Sequence, residues 1–235
     1  MSPAFGCMTV GIVHSPFKEK FGIPRQPGLV PQAAGILELL PPYNCPESVS
    51  GLADYSHIWI QFWFHQVEQG AWQPRVRPPR LGGNRRVGVF ASRSPFRPNP
   101  IGLSVVKLNE VRCEGGAVTL AISGIDILDG TPVLDIKPYV SYADSIPDAR
   151  SGFAPTAPDE ALRVVFSAHA ERQIQSRGDL PKLRELIVSL LTTDPRPAYV
   201  EDGRKERVYG IHLYDFDLRW RVENREALVL ELLLR

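Results

Sequence analysis

The residues with most chemical scope fall in four short blocks of the 235-residue chain. The longest, RPPRLGGNRRVGVFASRSPFRPNPIGLS (77–104), sets Arg93 and Arg97 four residues apart in a segment too rich in proline for a helix. Pro95, Pro98 and Pro100 each hold φ at about −65°, so little entropy is lost when such a loop grips a ligand; a rigid turn that closes a barrel has the same composition. KEKFGIPRQPGL (18–29) puts the rigid Pro24 ahead of Arg25 and Gln26, a guanidinium and an amide able to meet the polar ends of a ligand. Taken alone, Arg25 and Gln26 read as surface-loop residues. His65 and Gln66 follow the aromatic run IWIQFWF, at the point where the chain leaves a sheet and functional side chains are often mounted. A histidine there can equally be structural. His57, eight residues earlier, raises the idea of a metal pair, but no third ligand or cysteine partner accompanies it. In DILDGTPVLDIKPY (126–139), the turn Leu128, Asp129, Gly130 and Thr131 offers backbone amides and a carboxylate to ligand hydroxyls, or is an ordinary Asp-Gly hairpin turn.

Charge is distributed unevenly. The net charge is only +1, yet no acidic residue occurs from Gln69 to Asn109, where Arg75, Arg77, Arg80, Arg85, Arg86, Arg93 and Arg97 stand with the single Lys107. Arginine presents a planar fork that matches phosphate or carboxylate, so this bias favours specific anion recognition, with a solvated loop as the plainer reading. Cys7, Cys45 and Cys113 are odd in number and form neither a CxxC pair nor a zinc spacing, which fits a reducing cytoplasm. No apolar run approaches the length of a membrane span, and the N-terminus lacks the pattern of a signal peptide, so no membrane association is expected. GxGxxG, P-loop, GxSxG and HExxH patterns are absent, which removes the usual nucleotide-binding and hydrolytic signatures.

Together the stretches PRQPG, RPPRLGGN, VFASRSPFRPNPIGLS and DGTPVLDIKPY, with DPRPAY and YDFDLRWRV in the tail, resemble the hallmark blocks of the TsaA/TrmO-like family. These proteins use S-adenosyl-L-methionine to methylate N6 of threonylcarbamoyl-adenosine (t6A, giving m6t6A) beside the anticodon of certain transfer RNAs. The resemblance spans essentially the whole chain. It implies a β-barrel-like, non-Rossmann methyltransferase domain, a homodimer, and a cofactor held by loops near the subunit contact. It also implies cofactor contacts from Pro24, Arg25, Gln26, His65, Gln66, Arg93, Leu103, Leu128, Asp129, Gly130 and Thr131. S-adenosylmethionine presents an adenine, a ribose, a sulfonium and an amino-acid end, and the blocks supply hydrogen-bonding edges, apolar walls and a carboxylate partner.

The acceptor N6 of a carbamoylated adenosine is a weak nucleophile, so a base or strong hydrogen-bond acceptor for its N–H would help. Asp135, His65 and Asp129 are the ionisable candidates, and Asn99 offers an acceptor that does not take the proton. For RNA, Arg85, Arg86 and Arg97 suit phosphates, while Arg196, Tyr199 and Arg219 in the tail suit the exposed bases of an anticodon loop. The rival readings are an RNA-binding β-barrel module without catalysis and a nucleotide hydrolase.

Positioning these groups falls to two regions, 1–150 and 160–235, separated by the linker-like SIPDARSGFAPTAPDE (145–160). Upstream, MTVGIV, YSHIWIQFWF, RRVGVFAS, LSVVKLNEVRC, AVTLAISGIDI and TPVLDIKPYV are short β-branched and aromatic runs between Gly and Pro, so the domain is mainly β. LSVVKLNEVRC and AVTLAISGIDI form a hairpin across EGG. YSHIWIQFWF is apolar on both faces and is expected to be central, buried on both sides or covering an interface. Downstream, ALRVVFSA predicts a strand, and Leu183, Leu186, Ile187, Leu190 and Leu191 carry helical spacing that Asp194 and Pro195 end. The tail sets Tyr214, Phe216, Leu218, Trp220 and Val222 against Asp215, Asp217, Arg219 and Arg221, a half-buried strand followed by another, in a small α+β domain.

Overall fold

A computed structural model describes residues 6–68, 70–82, 84–158, 162–196 and 207–235. In chain order the strands and helices are β1 (Gly11–His14), β2 (Ala34–Leu39), β3 (His57–Trp63), β4 (Arg75–Val76), β5 (Val87–Gly88), β6 (Ile101–Glu114), β7 (Ala117–Ser123), β8 (Thr131–Pro138), α1 (Ser141–Asp144), β9 (Arg163–Phe166), α2 (Ala168–Gln175), α3 (Leu183–Thr192), β10 (Val208–Leu213), β11 (Phe216–Glu223) and β12 (Glu226–Leu234). Six strands close into an antiparallel barrel in the order β1-β2-β7-β6-β3-β8, with β8 pairing back to β1.

Alternation fills the barrel. Ile58, Ile60 and Phe62 of β3, Val106 and Leu108 of β6, Val118, Leu120 and Ile122 of β7, Val13, Leu37 and Val133 all lie buried. The β6–β7 hairpin turns at Gly115 and Gly116, both at positive φ, while Glu114 belongs to β6. β3 is not buried on both sides within the chain, the first of the two alternatives expected of it. Its second face, Trp59, Gln61 and Trp63, lies outside the barrel and is half-buried, with Trp59 tilted against Tyr139. RRVGVFAS yields only the two-residue β5 and then a 3-10 turn at Val89–Ala91. The Arg97 guanidinium draws this segment back by donating to the carbonyls of Val89 and Ser92.

In the C-terminal region the sheet β10-β11-β12-β9 carries β9 parallel to β12, with α2 and α3 packed on it. All five apolar positions expected on α3 are buried. The tail makes three strands where two are expected. Tyr214 sits in the β10–β11 turn at φ 51°, and the amide that alternation would place in a strand donates to the Pro16 carbonyl. Helix α2 is absent from the sequence expectations because it buries only Ala170; its N-terminus is capped by Ser167 Oγ, which accepts from the Ala170 amide. The Pro16–Glu19 segment of the first region lies along the β10 edge. Phe17 bridges Leu213, the Lys18 amide donates to the His212 carbonyl, and Glu19 accepts from the His212 amide. One apolar core runs through both regions.

Candidate active site

A cavity of about 550 Å³ opens at the barrel end where β3 finishes and β6 and β8 begin. Its apolar wall is Phe62, Phe64, Ile101, Leu103 and Ile127, and its rim is Lys20, Arg25, Gln26, Arg93 and Arg97. Three features of the local sequence build it. Gly102 faces Phe62 across the β3–β6 ladder, and a Cβ there would lie 2.2 Å from the ring, so glycine lets the ring fold over the strand. The prolines of the 93–100 block stiffen the loop, the Pro100 carbonyl accepts from the Phe64 amide, and Arg97 lies over the exposed Phe90 ring while bonding two carbonyls. The turn before β8 is tied to β1: the Gly130 amide donates to the Val13 carbonyl and the Asp129 amide to that of Phe17.

Of the residues expected at the cofactor, Pro24, Arg25, Gln26, His65, Gln66, Arg93, Leu103, Leu128 and Thr131 line this one cavity. Arg93 Nη1 donates to Gln26 Oε1 at 2.6 Å, which joins the two sides of the rim. Asp129 and Gly130 are not among the lining residues. The Asp129 carboxylate accepts from the Ser15 amide at 2.8 Å and pairs with Lys18 at 2.7 Å, so it fastens the turn that presents its neighbours. Thr131 Oγ1 donates to the Leu128 carbonyl at 2.7 Å and lies 3.4 Å from His65 Nδ1. With the hydroxyl hydrogen so used, the ring is best assigned the Nδ1–H tautomer, leaving Nε2 as an acceptor toward the cavity. Burial, then the charge of Lys20, lowers the His65 pKa and keeps the imidazole neutral at pH 7.

The other catalytic candidates lie elsewhere. Asp135 faces a second depression toward the opposite end of the barrel, beside Tyr55 and Pro138, and pairs with Lys137 at 2.7 Å. Asn99 is exposed in the turn before β6, where its carbonyl accepts from the Ile101 amide. Arg85 and Arg86 are exposed on the loop ahead of β5. Arg219 occupies the face of β11 opposite Trp220, beside Gly210. Arg196 is largely buried and forks onto Asp194, while its carbonyl accepts from Arg25. Tyr199 lies outside the described residues. A neighbouring cavity of about 590 Å³ between the barrel and the C-terminal region shares Lys20, Pro24 and Arg25 with the first and adds Arg77 and Arg196.

Absent from the sequence expectations are Phe62 and Phe64 of the apolar wall and the pair Ser104–Asp126. Asp126 stands between Ile125 and Ile127, both buried, and Ser104 is 1% exposed. Ser104 Oγ donates to Asp126 Oδ1 at 2.6 Å. Burial is the main cause that pushes the Asp126 carboxyl up to about 6, with the Ser104 hydrogen bond and the charge of Arg93 acting in the other direction. The one sequence signal is an aspartate set between two isoleucines where a strand runs out.

This geometry has counterparts. The model of the tRNA-methyltransferase O N-terminal domain matches residues 12–145, and that of the TrmO C-terminal domain matches 159–234. The tRNA (adenine(37)-N6)-methyltransferase of Escherichia coli is 50% identical over 214 residues, 91% of either chain. A Pseudomonas aeruginosa protein named for S-adenosylmethionine-dependent methyl transfer is 51% identical over 215 residues, 90% of either chain. The crystal structure of TrmO from Pseudomonas aeruginosa superposes with a TM-score of 0.81 at 42% identity, covering 98% of either chain. With matches to both domain models and near-complete coverage at this identity, the chain belongs to the tRNA-methyltransferase O family.

Proposed function

We propose that this chain transfers a methyl group from S-adenosyl-L-methionine to N6 of threonylcarbamoyl-adenosine next to the anticodon of a transfer RNA, giving m6t6A. The observation that carries it is the convergence of Pro24–Gln26, His65–Gln66, Arg93, Leu103, Leu128 and Thr131 on one cavity at the barrel mouth. The cavity fits the donor chemically. Phe62, Phe64 and Ile127 suit the adenine and thioether surface, and the Arg93–Gln26 pair suits the carboxylate end. When bound, the donor supplies a methyl already activated by the sulfonium, so the protein's share is positioning and the exclusion of water.

The RNA side is assigned to the basic surface that continues from this cavity. Arg77 and Lys20 line the adjoining cavity, Arg85 and Arg86 are exposed on the nearby loop, and Arg219 extends the reading to the C-terminal sheet. Arg97 holds a loop that borders the first cavity, and Arg196 one that borders the second. The chain is further proposed to act as a homodimer. Trp59, Trp63, Ile101, Leu103 and Val105 share the outer face of the β3–β6 pair and are only part-covered, with Ile101 and Leu103 37% and 49% exposed. A second copy seated there would border the cavity at Leu103. Among the described residues no helix is long and apolar enough to cross a membrane, and the proposed site of action is the cytoplasm.

Mass spectrometry of transfer RNA nucleosides from cells with and without the gene tests the assignment. The methylated threonylcarbamoyl-adenosine is expected to vanish without the gene and to return with it, and its persistence would overturn the substrate.

A further inference from the structure

The donor activates its own methyl, but the acceptor still carries a surplus proton. Forming the N6–CH3 bond breaks the S–CH3 bond, whose electron pair stays on the now neutral sulfur, and the N6–H proton must leave. Among the described residues lining the cavity, the cations are Lys20, Arg25, Arg93 and Arg97, and the single carboxylate is Asp126.

We propose that Asp126 is the catalytic residue that receives the N6 proton, its Oδ2 accepting the N–H while Ser104 holds Oδ1; this rests on the methyl-transfer reading above. The fixation is specific. Ile125 and Ile127 anchor the backbone on both sides of Asp126, and Ser104 Oγ reaches Oδ1 from β6 at 2.6 Å. Beyond Ser104 and its own backbone amide the carboxylate has no hydrogen-bond partner among the described residues, so a lone pair of Oδ2 is open to a substrate N–H.

His65 is the other group in the cavity able to take a proton, and burial distinguishes the two. Taking a proton converts Asp126 from an anion to a neutral acid, which an enclosed site favours, whereas it makes a cation of His65 in that same site beside Lys20. The charged and titratable groups that line the cavity with Asp126 are Arg93, Arg25, Arg97, Lys20 and His65; of these Arg93 is the one whose charge acts on the carboxylate, and Ser104 is its hydrogen-bond donor. A carboxyl that titrates near 6 suits a base working at neutral pH.

Single-turnover methylation of unmethylated transfer RNA, together with calorimetric binding of S-adenosylmethionine, tests the role. Asp126→Asn is expected to slow the chemical step by roughly 100-fold or more while leaving donor affinity within about threefold of wild type, and to abolish the fall in rate below pH 6. Asp126→Glu should restore part of the rate. Ser104→Ala keeps the carboxylate but removes a donor that favours its charged form, so the acid limb of the rate profile should move to higher pH. His65→Gln should keep that limb. An Asp126→Asn enzyme with wild-type rate, a loss confined to donor affinity, or an acid limb that follows His65 or does not move in Ser104→Ala would overturn the proposal. A wild-type enzyme that binds the donor but methylates no transfer RNA would instead sink the underlying assignment.

Discussion

An amide at position 126 should make the folded chain more stable at neutral pH than the carboxylate does. Burial raises this carboxyl from 3.8 to about 6, so between those values the folded chain holds a proton that the unfolded chain has released. With the folded pKa above the unfolded one, the group's contribution to stability is most favourable below about pH 4 and is lost as pH rises through 6. The loss amounts to up to about 3 kcal/mol at pH 8. Asp126→Asn removes that dependence while its side-chain oxygen can still accept from Ser104. We expect the urea midpoint of Asp126→Asn to exceed that of wild type at pH 8 and the two to converge at pH 4. Equal midpoints at pH 8 would show that the carboxylate pays no burial penalty. Gains of this kind are common where a site is tuned for chemistry at the cost of stability.

The strands have their own strict positions. Gly102 is required by the ring it faces: Phe62 lies over it so closely that an added methyl would sit 2.2 Å from the ring. Gly102→Ala therefore has to push the ring out of the β6 surface and into the cavity, since Ile60 and Val106 already fill the barrel behind it. The expected cost is about 1–3 kcal/mol in thermal or urea unfolding, accompanied by weaker donor binding. If stability fell and affinity did not, Phe62 would have moved away from the cavity, and its place in the wall would be wrong.

Across the whole molecule, the segment 16–26 links the two regions. It begins as a strand-like edge against β10, with Phe17 1% exposed in the shared core, passes Gly22 against Ile211, and ends at Pro24–Gln26 on the cavity rim. Docking of the C-terminal sheet thus fixes one side of the proposed cofactor cavity. Gly22 has φ 89°, and a Cβ would lie 2.5 Å from Ile211 Cγ2, so Gly22→Ala is strained in both backbone and packing. It should lose at least about 1 kcal/mol of stability and also weaken S-adenosylmethionine binding in calorimetry, although residue 22 is itself outside that cavity. Unchanged donor affinity in a destabilised Gly22→Ala protein would mean that the rim holds its shape without the C-terminal contact.

By itself the sequence determined what depends on neighbours along the chain: the alternation of β6, β7 and β11, the helical spacing of α3, the glycine turn at 115–116, and the composition of the four blocks. Those signals are local because a strand's period and a turn's dihedral angles are properties of a few consecutive residues. Weak local patterns stayed hidden, as in α2 with one buried residue and in the break at Tyr214, where the edge contact with Pro16 decides the turn. Only the tertiary structure decided which polar groups share an environment. It turned Asp129 toward Lys18 and Ser15, turned Asp135 to a separate depression, and brought Ser104 and Asp126, 22 residues apart, to 2.6 Å in the cavity that the rim arginines border. Barrel closure sets those distances. A carboxylate's partners and burial, and hence its chemistry, come from strands far away in the sequence.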